Sequence, residues 1–313
     1  MGKTLEVINA IDKTEVVVEA PSGYDLRRTL TCGQAFRWRW AGDVATGIVG
    51  KAMVEARQQG RMVFLQVNPG TALPAVLHYL ALDEPLHAIE EELSHDKVLR
   101  ALLPKTSGIV LLRQDPWECL VSYVLSSWNN IPKITYSLER LARELGSQLA
   151  PGFYSLPGPD VLARASHEVL QRCSVGYRAS YLQGIARAVA EGEIALHRIG
   201  ERPFQESRDA LLRLPGVGQK VADCVLLFAY GYKEAFPVDV WVKRAVELLY
   251  FNGRVLRLRE IQEFAKEKFG PLAGYAQQHL FTYARIFLRG PNPLMSPLEE
   301  VREGLQPSHR QRG

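Results

Sequence analysis

The sequence predicts an α+β fold, mostly α, with an antiparallel sheet domain over residues 1–100 and a helical region over residues 101–290. Two observations carry this prediction. β-branched residues alternating with polar ones are concentrated in the first hundred positions, between Gly-bearing turns such as Gln59-Gly60. From about Asp96 onward the apolar residues recur at helical spacing instead. In order along the chain, residues 14–19, 45–53 and 62–67 read as strands. Residues 25–30 read as a short helix leading into Cys32-Gly33-Gln34, and residues 75–82 as a helix covering one sheet face. Helices are expected over 117–127, 134–145, 160–173, 178–191, 260–269 and 275–288, and residues 291–313 form a loose C-terminal tail.

Composition narrows the class. With 313 residues, 47% of them hydrophobic, the chain has ample material for a core and is globular rather than disordered. The four cysteines, Cys32, Cys119, Cys173 and Cys224, are scattered with no C-x-x-C, which argues against a disulfide framework, a zinc site or a cysteine-ligated cluster. That usage fits a reducing, intracellular compartment, and a prokaryotic cytoplasm is the expectation. No apolar run is long enough to span a bilayer and no signal-peptide pattern is present, so neither a membrane span nor secretion is expected. The net charge is only +4, yet residues 208–259 hold nine Lys or Arg against five acids, the whole molecular excess in one segment. A basic segment of that kind suits a polyanion, although interspersed charges also occur on any solvated helical surface.

That segment contains the chemistry. Phe204, Ala210, Leu211 and Leu214 fall on one side of a helix that Pro215-Gly216-Val217-Gly218 breaks, and residues 219–230 restart a helix that is apolar on most sides and stops at Gly231. The result is a helix, a tight hairpin and a second helix over 204–231. Gly216 and Gly218 let the backbone approach another molecule closely, and the first N–H groups of the second helix favour an anion such as a phosphodiester. A Pro-Gly-x-Gly turn alone is equally an ordinary corner between helices. Lys220 sits in the first turn, where the helix dipole disfavours an ammonium and so favours the neutral, nucleophilic amine. Cys224, four residues on, shares its face. Asp239, in the loop 236–240, precedes another helix, where it caps the N-terminus or faces a developing cation, two roles that coexist.

The motif LPGVGQKVADC followed by PVDV resembles the helix-hairpin-helix, Gly/Pro-Asp superfamily of DNA glycosylases. Lys220 resembles the lysine of its bifunctional members, those with both glycosylase and lyase activity. The blocks at 30–39 (LTCGQAFRWR), 110–131 (VLLRQDPWECLVSYVLSSWNNI), 175–182 (VGYRASYL) and 274–281 (GYAQQHLF) resemble the 8-oxoguanine DNA glycosylase family in the same order. The resemblance implies a two-lobed helical region and a monomer that binds double-stranded DNA containing oxidised guanine without a required cofactor. It makes Lys220 the nucleophile and Asp239 the catalytic carboxylate. It also places the extruded base between Phe281 and Cys224, with Gln277 reading its Watson–Crick edge. The Gly33 carbonyl would accept the N7–H that oxidised guanine carries and guanine lacks.

Further roles follow from the same resemblance. Tyr177 is the wedging aromatic, Arg178 the reader of the unpaired cytosine, and Asn129 and Asn130 belong to an Asn-rich turn. Backbone carbonyls of Leu212, Leu214 and Val217 would hold a structural cation at the hairpin. Three positions depart from the family. Trp128 replaces the first Asn of the turn, Lys133 replaces a second cytosine-reading Arg, and Trp241 replaces a His two residues after the catalytic Asp. A Lys cannot reproduce the bidentate fork of an Arg, so a weaker preference for cytosine opposite the lesion is expected. Competing readings are a methylpurine glycosylase, which uses no catalytic Lys, an endonuclease III type, which adds a four-Cys cluster, and a non-catalytic DNA-binding module.

Overall fold

The structure is a computed structural model, and it describes residues 4–10 and 13–288. Six strands form one antiparallel sheet: β1 (Thr4–Ala10), β2 (Lys13–Glu19), β3 (Trp38–Ala41), β4 (Val44–Val49), β5 (Ala52–Gln59) and β6 (Met62–Asn68), in the order β1-β2-β6-β5-β4-β3. Alternation along β2 and β6 turns Val16, Val18, Val63, Leu65 and Val67 inward. Two helices, α1 (Leu26–Thr31) and α2 (Leu73–Leu80), cover that face with Leu26, Leu30, Val76 and Leu80. The expected strand over residues 45–53 is two strands, because Gly50, at φ 61°, opens a two-residue turn that pairs Val49 with Ala52. Strands β1 and β3 were not anticipated.

The helical region follows. It comprises α3 (Leu86–Leu93), α4 (Lys97–Thr106), α5 (Pro116–Leu125), α6 (Ile131–Leu145), α7 (Pro159–Ala163), α8 (His167–Arg172), α9 (Arg178–Ala190), α10 (Phe204–Leu212), α11 (Gln219–Tyr230), α12 (Val240–Tyr250), α13 (Leu258–Phe269) and α14 (Ala273–Phe287). A small hairpin, β7 (Gln148–Ala150) with β8 (Phe153–Tyr154), interrupts it. The single helix expected over 160–173 is two, since the Ser166 hydroxyl accepts from the Val169 N–H and starts α8 afresh. The tail expected over 291–313 lies outside the described residues.

Two apolar cores meet along one extended segment. Val110 and Leu112 pack with the sheet, whereas Leu111 between them packs with the helices. Gln34, fully buried, bonds this segment from the side: its amide nitrogen donates to the Thr29 and Val110 carbonyls (3.0 and 2.8 Å), and its amide oxygen accepts from the Leu112 N–H (2.9 Å). Its own carbonyl accepts from the Gln114 side chain (2.7 Å) and the Tyr123 hydroxyl (3.2 Å). The loop that carries Gly33 is thereby fixed against the helical region.

Candidate active site

The hairpin between α10 and α11 has the geometry its glycines permit. Gly216 is left-handed at φ 74°, and a Cβ there would sit 2.5 Å from the Tyr181 ring, so no other residue fits without displacing that side chain. Gly218 is the N-cap of α11 and supplies no side-chain cap. With the hairpin glycines exposed, the first N–H groups of α11 face outward without an intrahelical partner. A buried ion pair between Arg208 and Asp223, 2.8 Å, locks α10 against α11.

One turn into α11 the chain enters a cavity of about 340 Å³. Lys220, Cys224, Asp239, Trp241, Gly33, Gln277, Phe281, Asn129 and Asn130 all line it, brought together from five separate parts of the sequence. Lys220 Nζ donates to Ser126 Oγ at 2.6 Å and lies 5.1 Å from the centre of the Tyr123 ring. Ser126, the C-cap of α5, donates in turn to the Tyr123 carbonyl (2.6 Å). The amine is therefore held by one hydroxyl over an aromatic face.

Asp239 caps α12, with Oδ1 accepting from the N–H groups of Trp241 (3.0 Å) and Val242 (2.9 Å). Burial raises its carboxyl above the usual aspartate range, opposed by the two N–H groups and by the charges of Lys220 and Arg285. Burial pushes the Cys224 thiol up to about 12, so it presents a neutral, polarisable surface. Gln277 is 5% exposed and its Oε1 has no hydrogen-bond partner. An orphaned buried acceptor at a cavity wall calls for a donor from a ligand.

Gly33 shows why that position needs glycine. Its φ is 101°, and an added Cβ would lie 2.6 Å from Arg285 Nη1 and 2.9 Å from Phe281 Cε1. Arg285 donates to the Cys32 carbonyl (3.0 Å) and sits 5.2 Å from the Phe281 ring centre. Sequence reasoning missed Arg285, Ser126, Tyr123 and the bracing role of Gln34. No local pattern marks them, because each acts through a contact across 76 or more residues.

The remaining expected residues surround the opening. Tyr177 is exposed and Lys133 projects from the first turn of α6, its Nζ 5.3 Å from the Tyr136 ring centre. Asn130 is the N-cap of α6, and the Asn129 amide donates to the Leu125 carbonyl (3.0 Å), so both shape the turn as well as lining the cavity. Arg178, expected as a base reader, is buried in this conformation. Its guanidinium donates to backbone carbonyls of Ser127 (3.0 Å from Nε), Trp128 (3.3 Å) and Val175 (3.4 Å). Of the three carbonyls expected to hold a cation, that of Leu214 already accepts from the Val217 N–H (3.2 Å) and keeps one lone pair for a metal. No group of three or more His, Cys, Asp or Glu suited to a metal occurs among the described residues.

A glycine hairpin that brings an amine and a buried carboxylate into one cavity fits a DNA glycosylase. Comparison with known proteins agrees. The 8-oxoguanine DNA glycosylase N-terminal domain matches residues 16–120, and the HhH-GPD superfamily base excision DNA repair protein matches residues 121–271. A probable N-glycosylase/DNA lyase of Methanothermobacter thermautotrophicus is 37% identical over 213 residues, 61% of this chain and 68% of the relative. The N-glycosylase/DNA lyase of Arabidopsis thaliana is 33% identical over 274 residues, 81% of this chain and 75% of the relative. The Clostridium acetobutylicum 8-oxoguanine glycosylase/lyase, in complex with double-stranded DNA containing cytosine opposite 8-oxoguanine, superposes with a TM-score of 0.83 at 33% identity, over 90% of this chain and 98% of that one. The chain belongs to the 8-oxoguanine DNA glycosylase family of the helix-hairpin-helix Gly/Pro-Asp superfamily, and is a DNA glycosylase with lyase activity.

Proposed function

We propose that Lys220 and Asp239 carry the excision of 8-oxoguanine from duplex DNA. The observation behind this reading is that the Lys220 amine, held on Ser126, opens into the same cavity as the Asp239 carboxylate and the unpartnered oxygen of Gln277. The hairpin amides of Gly216 and Gly218 hold the phosphodiester, and the base enters between Cys224 and Phe281. Gln277 then accepts from its Watson–Crick edge. The Gly33 carbonyl accepts N7–H from the oxidised base, whereas undamaged guanine would set two acceptors against each other.

Lys220 attacks C1′ as the glycosidic bond breaks and the base leaves with the bonding pair. Asp239, ionised, stabilises the positive charge that develops on the sugar and helps to orient the amine. Loss of the former amine proton and opening of the sugar give a Schiff base. Removal of a C2′ proton then breaks the C3′–O bond and nicks the strand on the 3′ side. The enzyme acts as a monomer. Tyr177 wedges the duplex, Arg178 leaves its carbonyl partners to meet the unpaired cytosine, and Trp241 replaces a polar contact with an apolar wall. A cation held by the carbonyls of Leu212, Leu214 and Val217 would stiffen the hairpin.

Borohydride trapping on duplexes with 8-oxoguanine opposite each of the four bases tests this. Wild-type protein yields a covalent adduct, while Lys220→Gln yields none and loses at least about 10³-fold in strand cleavage. An adduct from Lys220→Gln would overturn the assignment, and binding without adduct or nick would point to a module that only grips DNA.

A further inference from the structure

The turn between α5 and α6 holds a side chain that neither the fold nor the chemistry above uses. Trp128 is 95% exposed, the most exposed large apolar side chain among the described residues, and its φ is 50°. A bulky residue in the left-handed region is strained, and an indole left wholly in water loses the burial that normally justifies it. The turn itself is firmly held. Asn129 bonds back to Leu125 and Asn130 caps α6, and in this conformation Arg178 adds bonds to the carbonyls of Ser127 and Trp128. The strain therefore serves to project the indole from a fixed base.

Its surroundings are equally particular. The other exposed large aromatics among the described residues are Tyr136, Tyr177 and Tyr181. The Tyr177 hydroxyl reaches the Ser127 carbonyl (3.4 Å), and its ring meets Tyr181 edge-on at 6.1 Å. Tyr181 seats against Gly216 of the hairpin. Tyr136 carries Lys133 over its ring. Asn129 and Asn130, next to Trp128, line the cavity itself. The indole thus stands one residue from the cavity wall, on the turn that the Tyr177 hydroxyl also touches.

We propose that Trp128 enters the DNA at the gap left by the extruded base and stacks on the base left unpaired opposite the lesion, a binding residue that grips the partner strand by its π-face. The inference rests on the base-extruding reading above. A hydrogen-bonding side chain at this position would discriminate among partners by their edges, whereas every base offers a face to an aromatic ring. Stacking at position 128 accordingly holds any partner base without selecting cytosine.

The test uses duplexes with 2-aminopurine opposite a tetrahydrofuran abasic analogue, which needs no chemistry at C1′. Wild-type protein and Lys220→Gln quench the 2-aminopurine on binding, Trp128→Phe retains most of the quench, and Trp128→Ala loses it. Trp128→Ala also binds about tenfold or more weakly, by a similar factor for natural partners A, C, G and T, as loss of one base–aromatic stack predicts. Quenching by Trp128→Ala equal to wild type, or an affinity loss confined to one partner, overturns the proposal. Failure of the excision reading shows separately, as absence of trapping on 8-oxoguanine while the 2-aminopurine signal persists.

Discussion

The two sides of the opening are built in opposite ways. On the side proposed to take the lesion the groups are fixed in advance: Gln34 makes five bonds, Gly33 has no room for a methyl group, and Asp239 is held by two N–H groups. On the partner side, Trp128, Tyr177 and Lys133 lie exposed on a single turn and the helix starts beside it. A preorganised pocket needs no rearrangement when charge develops, so it suits chemistry and lesion identity. An exposed rim can adapt to whichever base it meets. The comparison predicts that this chain separates strict recognition of the damaged base from permissive handling of its partner.

The comparison breaks most sharply at Asp239. Asn caps a helix about as well as Asp, so Asp239→Asn should keep α12 and the fold while removing the charge. Single-turnover excision is expected to fall by about 10²–10³-fold. The pH profile gives a second readout. Burial raises this carboxyl, so as pH falls the wild-type rate is lost at a higher pH than an ordinary aspartate would give, and the Asn variant should lack that acid limb. An unchanged limb would assign it to another group. Next in size is Gly33→Ala. The added methyl meets Arg285 and Phe281 at φ 101°, and displacement of the loop should cost about 10²-fold in 8-oxoguanine excision. Cleavage at a preformed abasic site should survive, because no base is read there. Equal losses in both assays would mean that Gly33 supports the fold alone.

What the sequence disclosed follows the same division. Helical periodicity and the two glycines announced α10, the hairpin and α11 with Lys220 in its first turn, and the Pro-Val-Asp step announced the cap of α12. Those signals are local. The strand pair β4–β5 was read as one because Gly50-Lys51 is short enough to vanish inside an apolar run. The helix start at Ser166 was hidden by unbroken periodicity on either side. Ser126, Arg285 and Gln34 were invisible as site residues, since Arg285 meets Cys32 across 253 positions and Lys220 meets Ser126 across 94. The residues proposed for the base pocket were suggested only through several blocks in a fixed order, as Gln277 alone reads as a surface amide although it is buried.

The smallest expected effect sharpens the comparison furthest. Lys133 offers a compact charge that rests on Tyr136, whereas an Arg in its place would present a planar fork able to make two bonds to one base edge. Such a pair is worth about 1–3 kcal/mol of discrimination between bases, but at an exposed rim the lower end applies. Lys133→Arg should therefore raise the preference for cytosine over the other three partners by roughly tenfold or less, with little change in the rate opposite cytosine itself. The measurement is single-turnover excision opposite each partner at fixed salt, since phosphate contacts vary with ionic strength. Equal gains opposite all four bases would show that position 133 meets only the backbone. Partner tolerance would then rest on Trp128 alone.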